Sequence, residues 1–116
     1  MRPSEIFNSL LNSVSEITET SRDEIVSTDT RAEVCQARNL FFLMCKRNGL
    51  RPVAIVRMGR ENGWESLVHS TVAKNISRAE KLEKDNLYNV TISQFNQNFE
   101  IEKVIISEKA KIKTKN

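Results

Sequence analysis

The sequence predicts an all-α protein, a small helical bundle that contains a helix-turn-helix. Two observations carry this reading. Apolar residues recur at three- and four-residue spacing in several separate segments, the signature of helices with one buried face. Gly49, Pro52, Gly59 and Gly63 fall between those segments, where they read as stops and starts.

The first helix is read over residues 4–18. Ile6, Phe7, Leu10, Leu11, Val14 and Ile17 form one stripe, Ser4 is a candidate N-cap and Glu5 suits the first turn. Residues 18–30 are rich in Ser and Thr. Within them, Ser21-Arg22-Asp23-Glu24 opens a short second helix anchored by Ile25 and Val26, and residues 27–30 read as loop and cap.

The strongest helix is residues 31–48. Val34, Ala37, Phe41 and Met44 define its face, and Leu40, Phe42, Leu43 and Cys45 widen it, which suits a central position. Asp29 or Thr30 is the expected cap, Lys46 and Arg47 suit the last turn, and Asn48-Gly49 closes it. Pro52 then opens a helix expected to reach about Met58, with Gly59, Asn62 and Gly63 breaking the pattern.

A longer helix is expected over residues 66–88, with Ser66 as N-cap and Val72, Ile76, Ala79 and Leu82 on one face. Ile92, Phe95 and Phe99 favour a helix over residues 91–98, whereas Val104-Ile105-Ile106 is β-branched and suits a strand equally. With 116 residues, one domain is expected over residues 1–106, its helix-turn-helix at about 52–88, followed by a flexible basic tail at 107–116.

Composition narrows the function classes. No apolar run approaches the roughly 20 residues of a membrane span, and the N-terminus lacks a signal core, so a cytoplasmic protein with no membrane partner is expected. Cys35 and Cys45 lie ten positions apart in one helix, a span of about 15 Å. A disulfide needs Cα atoms within about 7 Å, so both read as small buried hydrophobes. Two cysteines and one histidine give no metal-ligand spacing, and no metal or cofactor is expected. There is no G-x-x-x-x-G-K-[ST] phosphate loop and no nucleophile–base pair, so neither an enzyme, catalytic residues nor a small-molecule substrate is expected.

Charge is unevenly placed. Residues 1–30 hold Arg2 and Arg22 against six acids, whereas residues 38–78 hold eight basic residues against Glu61 and Glu65. A localised basic surface suits a polyanion. Small polar residues, His69-Ser70-Thr71, open the 66–88 helix, and Val72, Ile76 and Ala79 back it. A helix entering a DNA major groove needs that design. Its first residues face base edges and must be short and polar, while its back must be held firmly. Trp64, beside the turn, is read as a core plug, with an exposed contact to DNA or a protein as the other reading.

Residues 31–85 resemble the C-terminal DNA-binding domain of the bacterial replication initiator DnaA. That family carries R-x-E-I-V-x-A-R-Q-I-A-M-Y-L on its central helix. This chain has Arg31-Ala32-Glu33-Val34-Cys35-Gln36-Ala37-Arg38-Asn39-Leu40-Phe41-Phe42-Leu43-Met44. The family's D-H-[ST]-T-V becomes Val68-His69-Ser70-Thr71-Val72. The resemblance implies double-stranded DNA as partner, in replication or transcription, with His69, Ser70 and Thr71 reading bases. Arg38 and Arg31 would hold the backbone or minor groove. Lys46, Lys74 and Arg78 join them as phosphate contacts on charge and placement alone. Two family features differ. Val68 replaces the acid before the histidine, and Thr30 stands at the loop arginine, where Arg31 is the neighbouring substitute. Those differences motivate a second expectation, a helical protein-interaction module that has lost DNA binding.

Overall fold

The computed structural model describes residues 2–83, and all secondary structure among them is helical. Five helices follow in order: α1 (Pro3–Thr18), α2 (Arg22–Ile25), α3 (Ala32–Arg47), α4 (Pro52–Glu61) and α5 (His69–Leu82). The expectations for residues 84–116, including a helix at 91–98 and a basic tail, lie outside the described residues.

The all-α bundle forms around α3. Its residues from Ala37 to Cys45 are all buried, and α1, α2, α4 and α5 all pack on it. Phe7, Leu10, Leu11 and Val14 of α1 meet it on one side, while Val72, Ile76 and Ala79 of α5 meet it on another. Burying each large side chain of this set contributes about 1.5–3 kcal/mol. The ring of Phe7 stands edge-on to Phe41 at 5.0 Å, and Phe41 lies 5.5 Å from Phe42.

The helix ends follow local chemistry. Ser21 and Glu24 form a reciprocal capping box that starts α2. Gly49, at φ +85°, ends α3 in a Schellman motif: the Leu50 amide donates to the Cys45 carbonyl and the Gly49 amide to Lys46. Gly63, at φ +109°, ends α4 the same way, with Trp64 donating to Gly59 and Gly63 to Arg60.

Several expected boundaries move. α1 begins at Pro3, with Arg2 rather than Ser4 at the N-cap. Neither Asp29 nor Thr30 is the N-cap of α3. Arg31 holds that position, and the Asp29 carboxylate accepts its backbone N–H. Helix α4 runs past Met58 to Glu61, so Gly59 is helical and breaks nothing. It is buried where the Leu67 side chain crosses α4, and a Cβ at position 59 would lie 2.3 Å from Leu67 Cδ2. Helix α5 begins at His69, with Val68 and not Ser66 as N-cap.

Candidate nucleic-acid interface

The turn that joins α4 to α5, residues 62–68, is pinned from three directions. Leu67 is fully buried against Gly59, the Arg60 Nε donates to the Leu67 carbonyl at 2.8 Å, and Trp64 is buried. The Trp64 ring stacks on Phe42 at 6.0 Å, and the Arg38 guanidinium lies 5.0 Å from its centroid on a cation–π contact. Trp64 therefore fills the core-plug role. An exposed apolar patch shared by Trp64 and Val68 does not form, because only Val68 is exposed, at 43%.

From that turn α5 projects one solvent-facing surface. His69, Ser70, Ala73, Lys74, Ser77, Arg78, Glu80 and Lys81 are exposed. Val72, Asn75, Ile76 and Ala79 are buried on the opposite side, with Asn75 donating to the Thr71 carbonyl. At 3.6 residues per turn, Ser70 and Ser77 run along the middle of the exposed surface, Lys81, Lys74 and Arg78 follow in turn toward one margin, and Ala73, Glu80 and His69 toward the other. The three cations have no ion-pair partner among the described residues. No acidic residue occupies the first turn of α5, and no side chain caps it, so the positive end of the helix is uncompensated.

The residues singled out from sequence fare differently. His69 and Ser70 are exposed at the start of α5, while Thr71 is half-buried at the edge of the surface. Lys74 and Arg78 lie on the cationic margin. Ser77 and Lys81, which the helical spacing also puts off the apolar face, and Ala73 belong to the same surface but are not among the contact residues expected from sequence. They follow Ser70 at the spacing of one helix face, and extending that face beyond its first turn would have included them.

Lys46 is engaged with Glu80 at 3.2 Å across α3 and α5, and Arg47 with Glu83. Both ends of the Lys46–Glu80 pair are exposed, so the pair is weak and exchangeable. Arg31 is exposed but held by the carboxylates of Asp29 and Glu24. Those contacts raise its pKa, chiefly through the Asp29 hydrogen bond, and Arg31 in turn is the main reason that Asp29 is lowered. The Ser21 hydroxyl is the main cause for Glu24, which is also lowered.

Arg38 requires a correction. Its side chain is only 5% exposed, and it faces the interior rather than a phosphate. Nε donates to the Ile25 carbonyl at 2.8 Å, Nη1 to Asp29 at 2.9 Å and Nη2 to Glu24 at 3.0 Å. Burial lowers its pKa, and the carbonyls and the Trp64 face compensate the charge. The guanidinium ties the end of α2 and the loop after it to the turn before α5. It is a structural clamp.

Cys45 is fully buried and burial pushes its thiol pKa up, whereas Cys35 is half-buried, contrary to the expectation that both are buried. No group of three His, Cys, Asp or Glu residues that could hold a metal ion occurs among the described residues. No described helix is long and apolar enough to cross a membrane.

Comparison with known proteins finds no family model, curated protein or solved structure that matches the chain.

Proposed function

We propose that the protein binds double-stranded DNA through a helix-turn-helix made by α4, the 62–68 turn and α5, with α5 in the major groove. The observation that carries this reading is the exposed surface of α5. A strip of small and hydroxyl side chains, Ser70, Ala73 and Ser77, is bordered by three cations, Lys74, Arg78 and Lys81, that have no ion-pair partner among the described residues. A helix is about 10–12 Å across with its side chains, and the major groove is about 12 Å wide, so the strip must be short for bases to be reached.

The roles divide by chemistry. His69, Ser70 and Ser77 offer hydrogen-bonding groups to base edges, and Ala73 offers a methyl that suits thymine. Thr71, half-buried, reaches only the margin of such a contact. Lys74, Arg78 and Lys81 supply sequence-independent phosphate contacts, and Lys46 joins them by exchanging Glu80 for a phosphate. The resemblance of the Val34–Met44 and His69–Val72 stretches to the replication initiator's DNA-reading domain supports the same assignment and suggests replication or transcription control. Val68 and Thr30 argue for a target site different from the initiator's box. The protein-interaction reading keeps its motives, Val68 and Thr30, but the exposed patch of Trp64 with Val68 that would favour it does not form, because Trp64 is buried.

The test is duplex binding by fluorescence anisotropy over a salt series, together with selection of bound sequences from a random pool. Affinity is expected to fall with salt at a logarithmic slope of about −3 to −4, set by the three cations of α5 and Lys46. Ser70→Ala with Ser77→Ala is expected to relax sequence choice while leaving that slope in place. Affinity indifferent to salt, or equal for every duplex before and after that double substitution, would overturn the reading.

A further inference from the structure

The cations of α5 lie along one margin of its exposed surface, and the opposite margin has a different neighbour. An open groove of about 380 Å³ runs there, lined by Leu50 and Pro52 of the α3–α4 corner, by His69, Ala73 and Ser77 of α5, and by the Lys46–Glu80 ion pair, whose charges offset each other. None of Lys74, Arg78 and Lys81 lines it. The corner therefore flanks the α5 surface on the side away from its own cations. Between Leu50 and Pro52 stands Arg51, exposed, at the N-cap of α4. Its side chain makes no cap hydrogen bond and has no ion pair among the described residues.

Arg51 beyond one side of the α5 surface and Lys74, Arg78 and Lys81 on its other side suit the two sugar–phosphate strands that border a major groove. We propose that Arg51 contacts phosphates of one strand while the Lys74–Arg78–Lys81 margin contacts the other, so that the two margins straddle the groove and set the orientation of α5 in it. This rests on the DNA-binding reading and adds a residue and a strand assignment to it. Arg51 does not need to read a base. Its guanidinium fork suits a phosphate, and its place at the corner fixes which edge of the groove the α3–α4 corner faces.

The experiment uses the full chain and the duplex of highest affinity recovered from a random pool. Methylphosphonate substitutions are placed one at a time along each strand, and loss of affinity is read for wild type, Arg51→Ala and Arg78→Ala. Wild type is expected to be sensitive on both strands. Arg51→Ala should lose sensitivity on one strand, Arg78→Ala on the other, and each should make the logarithmic salt slope shallower by about 1. Arg51→Lys, which keeps the charge, should restore the slope, and the urea midpoint of Arg51→Ala should match wild type, since the side chain is exposed. Wild type bound with both strands sensitive, and Arg51→Ala altering neither strand nor slope, overturns this inference alone. Arg51 and Arg78 acting on the same strand does so too. A wild type that binds no duplex even at low salt overturns both this inference and the DNA-binding reading.

Discussion

Arg38→Lys separates two roles that a basic residue on a central helix can have. If Arg38 touched a phosphate, lysine would keep the charge, the salt slope and the stability. In the structure its three nitrogens donate to the carbonyls of Ile25, Asp29 and Glu24, which belong to three different residues, and its plane covers Trp64 at 5.0 Å. A lysine ammonium is a compact point charge on a longer flexible stem and does not span those three acceptors in one plane. A hydrogen bond from a charged donor contributes about 1.5–3 kcal/mol net, and the contact over the ring about 0.5–2 kcal/mol. The bonds are not independent, and the Asp29 and Glu24 contacts are only part-buried, so the full sum overstates the loss. We expect Arg38→Lys to cost about 2 kcal/mol and Arg38→Ala about 3–4 kcal/mol, large beside a typical total stability of about 5–15 kcal/mol. Urea denaturation followed by Trp64 fluorescence measures this directly, as Trp64 is the only tryptophan and sits beneath the substituted group. A loss below about 1 kcal/mol for both variants, with a shallower salt slope of duplex binding for Arg38→Ala, would refute the clamp and return Arg38 to the proposed DNA-binding surface.

Other outcomes follow from the same contacts. Gly59→Ala adds a methyl 2.3 Å from Leu67 Cδ2, so an overpacking cost of about 1–3 kcal/mol outweighs the helix-propensity gain of about 1 kcal/mol, and the urea midpoint should fall. The Gly59→Ala/Leu67→Ala double variant should be less damaged than the two single losses added together, and strict additivity would contradict the close approach. Glu24 and Asp29 have folded pKa values below their unfolded ones, so their contribution is complete above the unfolded carboxylate range of about 4 and is lost as pH falls through the folded values. The Ser21 and Arg31 amides donate to those carboxylates, so their protection factors, exchange corrected for its intrinsic pH dependence, should fall below about pH 4, and Glu24→Gln with Asp29→Asn should abolish that dependence. A thiol reagent should label the native protein at Cys35 alone, Cys45 reacting only on unfolding; rapid labelling of both would contradict the burial of Cys45.

Much of the fold was legible because its signals are local. Pro52 at the first turn of α4 and Gly49 at the end of α3 act within a few residues, and the apolar stripes of α1 and α3 need only helical spacing. Gly59 was misread because a glycine serves equally as a turn and as a site of close approach, and the difference is made by Leu67, eight positions on. Ser66 looked like a cap by type. Burial of Leu67 and the Arg60 bond to its carbonyl hold the chain in the turn until Val68. Arg38 was misplaced for the same reason: its acceptors lie 9 to 14 positions away, at the end of α2 and in the loop after it, and no local pattern specifies that they come to meet it. The exposed strip of α5 was half read. Its first turn stood out by composition and helical spacing put Ser77 and Lys81 off the buried face, whereas Ala73, a small apolar residue, gave no signal of its own.

The elements outside the α4–α5 unit have a role that follows from their contacts. Phe7 on α1 meets Phe41, Phe41 meets Phe42, Phe42 stacks on Trp64, and Arg38 closes over Trp64 while holding the segment after α2. The chain of rings thus runs from the first helix to the turn that launches α5. A surface helix that must present short side chains to a partner has little contact area of its own to fix its direction, so the direction has to come from behind. Here it comes from Val72, Ile76 and Ala79 against α3 and from Trp64 at the N-terminal end. Truncating Phe7 should therefore lower stability by about 3–5 kcal/mol. At a concentration of folded protein matched to wild type, it should leave the salt slope of binding unchanged, because the cations of α5 are untouched. A changed slope at matched folded fraction would mean that α1 does more than hold the turn in place.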